Sequence, residues 1–396
     1  MTSQPVEFID LSEDPLSALY ALGAGHDYRF LKMGKRDIFL CNAPDLIQWA
    51  FTHKSIGRGR FFKVFSRWLG NGVLVTEGEA HRKMRRTLLP AFNAAAQQTY
   101  MKTIMQDAPK LLDEWNDDEV DLAQLLFQLT YNATIRAVYG LDQLTSGDTN
   151  ELLAILANGS ESFLGRANAL PAGHYLHEGR VRHPIVTDAL NFMFANWKPT
   201  PLTQILDMLD PQEKYDQTLT MLSASIDTSM AAFVWMFHLF SENQNAFEKF
   251  CDDSRRDSTH YAALALDETL RLYPTGGWLN TRESFSPLNI RGMDIPAGTN
   301  IFVSSWVTHH DSRYFSEPES FIPERFSSPP APWTYFPFGG GSHLCLGRPF
   351  SLVELPYLAS LIVRKFDIEF LSNSIQLRLR IGLTPVGELC VKLKRR

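Results

Sequence analysis

The sequence predicts a mainly helical fold with small β-sheets, on three observations. Residues 215–240 run long and strongly apolar, without Gly or Pro. A helix with that pattern is buried through the middle of a protein. Short apolar stretches flank Gly34-Lys35, and IQLRLRIG and LCVKLK alternate near the C-terminus. Both patterns read as short strands with tight turns. The 396 residues are 44% hydrophobic and 21% charged, enough to build one large core.

The elements follow in order. Residues 28–41 predict a hairpin, and 43–52 a helix. The stretch KSIGRGRFFKVFSRWLGNG (54–72) is punctuated by glycine and mixes arginine with Phe61, Phe62, Phe65 and Trp68. Residues 79–140 read as mostly helical. Gly, Pro and His make 165–184 a loop, and 199–211 holds further breakers. A helix over 260–273 ends at Pro274. Short β-like runs occupy 275–308, and Pro and Gly are dense over 318–347. Residues 348–366 read as helical despite Pro349 and Pro356. The expected division is one domain with a β-rich part at about 20–75, a helical core at about 79–273 and a β-rich, cysteine-bearing part at about 275–396.

Charge and cysteine content narrow the class. Net charge is −6, from 38 basic and 44 acidic residues, which is no global signal for a nucleic-acid partner. Cys41, Cys251, Cys345 and Cys390 are scattered, which argues against a disulfide scaffold and fits a reducing compartment. No pair has the spacing of a zinc half-site. The first residues carry acidic charge and no long apolar run. The expectation is a cytoplasmic protein without signal peptide or membrane anchor.

The chemistry concentrates in FPFGGGSHLCLG, residues 336–347. The helix after it starts near Gly347 or Arg348, with Pro349 suited to the first turn. Cys345 is thus placed at a helix N-terminus, where the dipole and free N–H groups favour a thiolate. Such a cysteine is a metal ligand, a nucleophile or a buried structural thiol. The spacing of Phe338, Gly341, Cys345 and Gly347 shifts the balance away from a structural thiol. It matches F-x-x-G-x-x-x-C-x-G, a pattern that this composition meets by chance about once in a thousand chains.

This loop resembles the haem-ligand loop of the cytochrome P450 superfamily. Other segments follow in that family's order. Glu268 and Arg271 form E-x-x-R, and Arg325 lies in PERF some fifty residues on. The resemblance makes these three a buried structural charge cluster. The apolar helix carries Ala224-Ser225-Ile226-Asp227-Thr228-Ser229, which resembles the family's acid–alcohol motif. Asp227 and Thr228 are then the catalytic proton-relay residues. Ser225 departs from the pattern, standing where the family has glycine. It would narrow the oxygen groove or add a hydrogen bond.

His81 and Arg85, four apart on one helix face, match the family's H-x-x-x-R propionate contacts. His343 and Arg282 match two more. The resemblance implies haem b (iron protoporphyrin IX), with Cys345 as axial iron ligand and Phe338 and Gly347 beside it. The fold implied is the P450 helical prism, with haem between the long central helix and the helix after the cysteine.

The implied activity is monooxygenation of a small-molecule substrate by O2, in secondary metabolism. Electrons would come from a ferredoxin or flavodoxin with an NAD(P)H-dependent reductase. Arg82, Lys83, Arg86 and Arg348 offer that partner a basic patch, on a chain expected to be a monomer. By family topology the pocket draws on 57–72, 160–182, Leu222, Ala224, 276–279 and 383–386. Phe61, Phe62, Trp278, Leu279 and Pro385 are its named candidates, pointing to an apolar or aromatic substrate. Arg58 and Arg60 read as holders of a substrate carboxylate or as a solvated pair. The alternatives are a haem-thiolate enzyme with another outcome (oxidative coupling, nitration, peroxide-driven oxidation) or a haem sensor. The PAGTNIFVSSWVTHHDSRYFSEPESFIPERF stretch looks more like the microsomal-type branch than short bacterial enzymes.

Overall fold

Ten longer helices and four small sheets make up the described part of the chain. The computed structural model describes residues 7–11, 13–63, 65–116, 118–147, 149, 151–153, 155–156, 183–379 and 382–396. The expected loop over 165–184 and the pocket segment over 160–182 lie almost wholly outside them.

The helices are α1 (Pro15–Gly23), α2 (Pro44–Thr52), α3 (Gly78–Leu88), α4 (Ala94–Asp113), α5 (Leu122–Tyr139), α6 (Pro184–Asn196), α7 (Pro211–Glu242), α8 (Gln244–Arg255), α9 (His260–Leu272) and α10 (Arg348–Lys365). The strands are β1 (Glu7–Phe8), β2 (Tyr28–Met33), β3 (Arg36–Cys41), β4 (Ile56–Gly57), β5 (Glu119–Asp121), β6 (Asn280–Ser284), β7 (Leu288–Ile290), β8 (Met293–Ile295), β9 (Asn300–Val303), β10 (Phe366–Asn373), β11 (Gln376–Leu379), β12 (Leu383–Val386) and β13 (Leu389–Arg395).

The largest sheet has the order β1-β2-β3-β9-β6-β4. Its β2–β3 hairpin turns at Gly34, whose positive φ of 58° suits a residue without Cβ. β3 and β9 pair in parallel, so the N-terminal region and the region before the cysteine share one sheet.

Helix α7 is longer than the 215–240 stretch that its apolar residues mark. Asp210 caps it, accepting N–H bonds from Gln212 (3.0 Å) and Glu213 (2.9 Å), and Pro211 occupies the first turn. Pro is tolerated there because its missing N–H has no helical partner anyway. The breakers before it also enclose a short helix, Pro201–Asp207, capped by Thr200. By length and apolarity α7 is the one helix among the described residues that would pass as a membrane span. It is instead the core helix: 61% of its most apolar window is buried inside the protein. Phe233, Trp235, Phe237 and Phe240 are fully enclosed, with α4, α5, α9 and α10 contributing to the same core.

The expected helical run over 79–140 is interrupted by β5. This strand of three residues, EVD, has no alternating apolar signal. Pairing with β13 creates it, Asp121 opposite Cys390 and Val120 opposite Val391. Asp121 then caps α5 through Ala123 N–H (3.0 Å).

The E-x-x-R pair is buried completely. Arg271 Nε and Nη2 donate to the two oxygens of Glu268 (2.7 and 2.8 Å), and Arg325 Nε donates to the same carboxylate (3.1 Å). Arg271 Nη1 also donates to the carbonyls of His309 (2.9 Å) and Pro318 (2.6 Å). One charged cluster thereby ties α9 to two irregular segments ahead of the cysteine loop. Burial at this depth is tolerable because each charge is paired and bonded.

Candidate active site

The cysteine loop is shaped by its own neighbours. Gly339 and Gly341 have φ of 71° and 66°. A side chain at Gly341 would collide with the Phe51 carbonyl of α2, and one at Gly340 would press on Trp333 (2.8 Å) and Phe51 (3.1 Å). Gly340 and Gly341 therefore let the loop sit directly on α2. Cys345 N–H donates to Phe338 O at 3.1 Å, which closes the turn with half-buried Phe338 at its rim.

Gly347 caps α10, and the N–H groups of Gly347 and Arg348 point at the Cys345 sulfur. Burial pushes the thiol up. Those N–H groups, Arg85 and Arg58 pull it back in part. Cys345 nevertheless has accessible surface. That accessible sulfur lies beside the Arg85 and Arg58 side chains.

Beside it lies a cluster of basic side chains drawn from four separate elements. His81 and Arg85 come from α3, Arg282 from β6, His343 from the cysteine loop and Arg58 from the segment after β4. The His81 and His343 rings are 4.0 Å apart, centre to centre. Burial lowers both imidazoles to about 4. Burial also brings Arg58 down to about 9, reinforced by Arg282, and Arg282 down to about 10. The carboxylate within the cluster is Glu77. Its Oε1 accepts the Arg58 N–H (2.5 Å), and its Oε2 lies 3.2 Å from His343 Nε2. Burial opposes ionisation of Glu77, but His343 and Arg58 hold its carboxyl below the usual range.

This donor set fits the iron porphyrin that the sequence suggests. The buried Arg58 Nε and Thr281 Oγ1 have no partner. Buried cations in excess of carboxylate, with unused donors, suit an anion such as a propionate pair. Arg58 belongs to this cluster rather than to a solvated pair. The sequence reading missed Glu77. Its signal was an acid one helical turn before His81.

The opposite wall is α7. Its burial is continuous over 215–220 and again from Met230 to Phe240, but breaks between. Ala224 and Asp227 are exposed there, and Thr228 is half-buried with its hydroxyl donating to Ala224 O (2.9 Å). Asp227 and Thr228 thus sit together where the core opens. Ser225 turns its hydroxyl back to Leu222 O (3.4 Å) and toward the Tyr139 phenol on α5. It adds one hydrogen bond within its own helix and lies on the α5 side of α7.

Loop 275–280 joins the two walls. A side chain starting at Gly276 would meet Thr228 Cγ2 at 3.3 Å, and one at Gly277 would meet Pro337 O at 3.1 Å. Consecutive glycines therefore abut the acid–alcohol helix on one side and the cysteine loop on the other.

The pocket candidates divide. Ala224 faces the opening. Leu222 does not, and its assignment is corrected: two residues from Ala224 is about 200° around the helix, and Leu222, 1% exposed, packs with Tyr139 and Leu219 in the core. Phe65 and Trp68 are core residues too. Phe62 is half-buried with Arg58 stacked on its ring (4.3 Å), while the Phe61 side chain lies outside the described residues. Trp278 and Leu279 pack, half-buried, on the cluster around Leu19, Leu31 and Phe302. Pro385 is half-buried in β12 opposite Leu377. Trp235 Nε1 holds that strand to α7 through Leu383 O (2.9 Å).

Comparison with known proteins agrees with this geometry. The "Cytochrome P450" family model matches residues 25–167 and 191–385. Cyclooctat-9-en-7-ol 5-monooxygenase of Streptomyces melanosporofaciens is 24% identical, over 89% of this chain and 85% of its own. Cyclooctatin synthase of the same organism is 25% identical, over 87% and 83%. Human cytochrome P450 4V2 is 24% identical, over 91% and 80%. The crystal structure of CYP175A1 from Thermus thermophilus superposes with a TM-score of 0.81 at 25% identity, covering 98% of this chain and 100% of that one. A family model spanning most of the sequence decides the matter: this chain belongs to the cytochrome P450 family and is a haem-thiolate monooxygenase that uses iron protoporphyrin IX.

Proposed function

We propose that this chain inserts one oxygen atom from O2 into a small apolar or aromatic substrate in secondary metabolism. It acts as a single catalytic domain, a monomer in the cytoplasm, fed by a ferredoxin or flavodoxin and an NAD(P)H-dependent reductase. Relatives named cyclooctat-9-en-7-ol 5-monooxygenase and cyclooctatin synthase support the metabolic setting. The observation that carries the reading is the opening in α7 at Asp227 and Thr228, linked through Gly276 and Gly277 to the cysteine loop.

Bound haem supplies dioxygen activation and the oxidising power. The residues of the chain do the rest. Cys345 holds the iron through sulfur, and the N–H groups of Gly347 and Arg348 favour its negative charge. His81, Arg85, Arg282, His343 and Arg58 hold the propionates, and Phe338 shields the sulfur. Asp227 receives protons and Thr228 passes them into the cleft. Ala224 and Gly276 leave room there for substrate. Glu268, Arg271 and Arg325 brace the loops that carry these groups.

Arg82, Lys83, Arg86 and Arg348 are exposed. Gln97 Nε2 donates to Pro349 O (2.7 Å), which joins their two helices through the start of α4. This face suits an acidic electron donor.

The test is the ferrous–CO spectrum. Thiolate ligation predicts its characteristic long-wavelength band in the purified protein and loss of that band in Cys345→Ala. A short-wavelength band in the parent protein would refute the assignment of Cys345.

A further inference from the structure

One face of α7 carries more polar groups than the acid–alcohol pair requires. Gln212, Asp216, Thr220, Ser223 and Asp227 follow at spacings of four, four, three and four. At about 3.6 residues per turn they form one stripe. It begins at exposed Gln212 and ends at Asp227, in the opening.

The outer half of the stripe is explained by its contacts. Gln212 Nε2 donates to Asp216 Oδ1 (2.8 Å), and Asp216 Oδ2 accepts the Asn71 N–H (2.8 Å). The inner half is not. Thr220 is 1% exposed and its hydroxyl has no hydrogen-bond partner. The Ser223 hydroxyl is buried and has none either. Other hydroxyls of the same helix bond back to their own turn: Thr218 to Lys214 O (2.7 Å) and Thr228 to Ala224 O (2.9 Å). Nearby protein closes in on Thr220, since any side chain at Gly72 would strike its hydroxyl.

A buried hydroxyl left unbonded is costly, and internal water is the ordinary remedy. The spacing suits water. Side chains one turn apart have Cβ atoms about 5–6 Å apart. Two O–H···O bonds of about 2.7–2.8 Å span that distance. One water per step would join Asp216 to Thr220, Thr220 to Ser223, and Ser223 to Asp227.

We propose that Thr220 and Ser223, bridged by internal water, carry protons from the outer end of α7 to Asp227. The proposal rests on the reading of Asp227 and Thr228 as the proton-relay pair. At each step an oxygen accepts one proton and releases another to the next oxygen. The hydroxyls and waters end unchanged, and one proton from solvent reaches Asp227. Thr220 and Ser223 touch no reacting atom; they are relay-positioning residues.

The test uses the haem-loaded, substrate-free protein, turned over with a plant-type ferredoxin and its NADPH-dependent reductase. Thr220→Val removes the hydroxyl at nearly constant shape, Ser223→Ala removes the other, and Thr220→Ser restores the first. Thr220→Val and Ser223→Ala should slow O2 consumption several-fold and raise its H2O/D2O isotope effect. Thr220→Ser should stay near the parent. A high-resolution crystal structure should show ordered water bonded to both hydroxyls. Parent rates and isotope effects in both variants, with the ferrous–CO band intact, would overturn the route. So would a dry Thr220, shown by no ordered water and a higher melting temperature for Thr220→Val. Asp227→Asn separates the two readings. If it alone slows turnover, the pair stands and the route falls. If it too behaves as the parent, the reading of the pair falls.

Discussion

The His81 ring of α3 lies 4.0 Å from the His343 ring of the cysteine loop, centre to centre. The two residues are far apart in sequence and have one surrounding, a buried cluster of cations beside Cys345. Their proposed roles as propionate holders are coupled by that contact. His81→Ala and His343→Ala should each weaken haem retention about tenfold, measured as transfer to apomyoglobin. The double variant should lose less than the product of the two, because neighbours in one network are not additive.

Glu268 is enclosed with Arg271 and Arg325 bonded to it. Glu268→Ala leaves two buried guanidinium groups without their carboxylate. That costs about 3–5 kcal/mol, a large share of the roughly 5–15 kcal/mol that an ordinary protein has. The expected result is insoluble or haem-free protein. Arg325, 13% exposed at its side chain, can reach water. Arg325→Lys should be milder by at least half.

Glu354 of α10 is fully buried, with Oε1 accepting from Thr134 (3.2 Å) and Oε2 without a partner. Burial raises its pKa to about 8. In the unfolded chain the group ionises from about 4.5 upward, while the folded protein keeps it protonated. Stability is therefore full below about 4.5 and falls as pH rises toward 8. Each pKa unit corresponds to about 1.4 kcal/mol. Glu354→Gln should raise the melting temperature at pH 8 by several degrees and leave it nearly unchanged at pH 5. Equal shifts at both values would show that Glu354 ionises normally in the fold.

Gly276 faces Thr228 at a distance that leaves a methyl group tight but not excluded. Gly276→Ala should preserve the melting temperature within about 0.5 kcal/mol of stability. It should instead narrow the cleft, reducing several-fold the affinity for any compound that shifts the ferric haem to high spin. Gly276→Val should abolish that shift.

Arg82 and Arg86 are exposed on α3, and Arg82 already pairs with Glu79 (2.8 Å). Arg86 should therefore matter more. Arg86→Glu should slow reduction by ferredoxin about tenfold at low salt and flatten its dependence on ionic strength. An unchanged rate and salt slope would place the donor elsewhere.

How far the sequence could be read depended on whether a feature was local. α7, the β2–β3 hairpin and the start of α10 follow from apolar runs, a positive-φ glycine and a first-turn proline. Each is set by neighbours within a few residues. β5 could not be read this way, because three residues become a strand only against β13. Leu222 was misplaced on the pocket because a list of nearby residues ignores helical phase. Arg58 was taken for a solvated or substrate-binding group because nothing local shows that β6 and the cysteine loop bury it.

The sequence by itself determined the chemistry on offer: a thiol at a helix start, an acid–alcohol pair in an apolar helix, and an E-x-x-R pair with its later arginine. Side-chain type and short spacing suffice for those. Only the tertiary structure decided their arrangement. It placed Gly276 and Gly277 between the two walls and gathered Arg58, Arg282, His81 and His343 around Glu77. It also left the hydroxyls of Thr220 and Ser223 buried without partners. Those facts depend on contacts across hundreds of residues, and desolvation, which sets the charge state of such groups, exists only once the chain has closed around them.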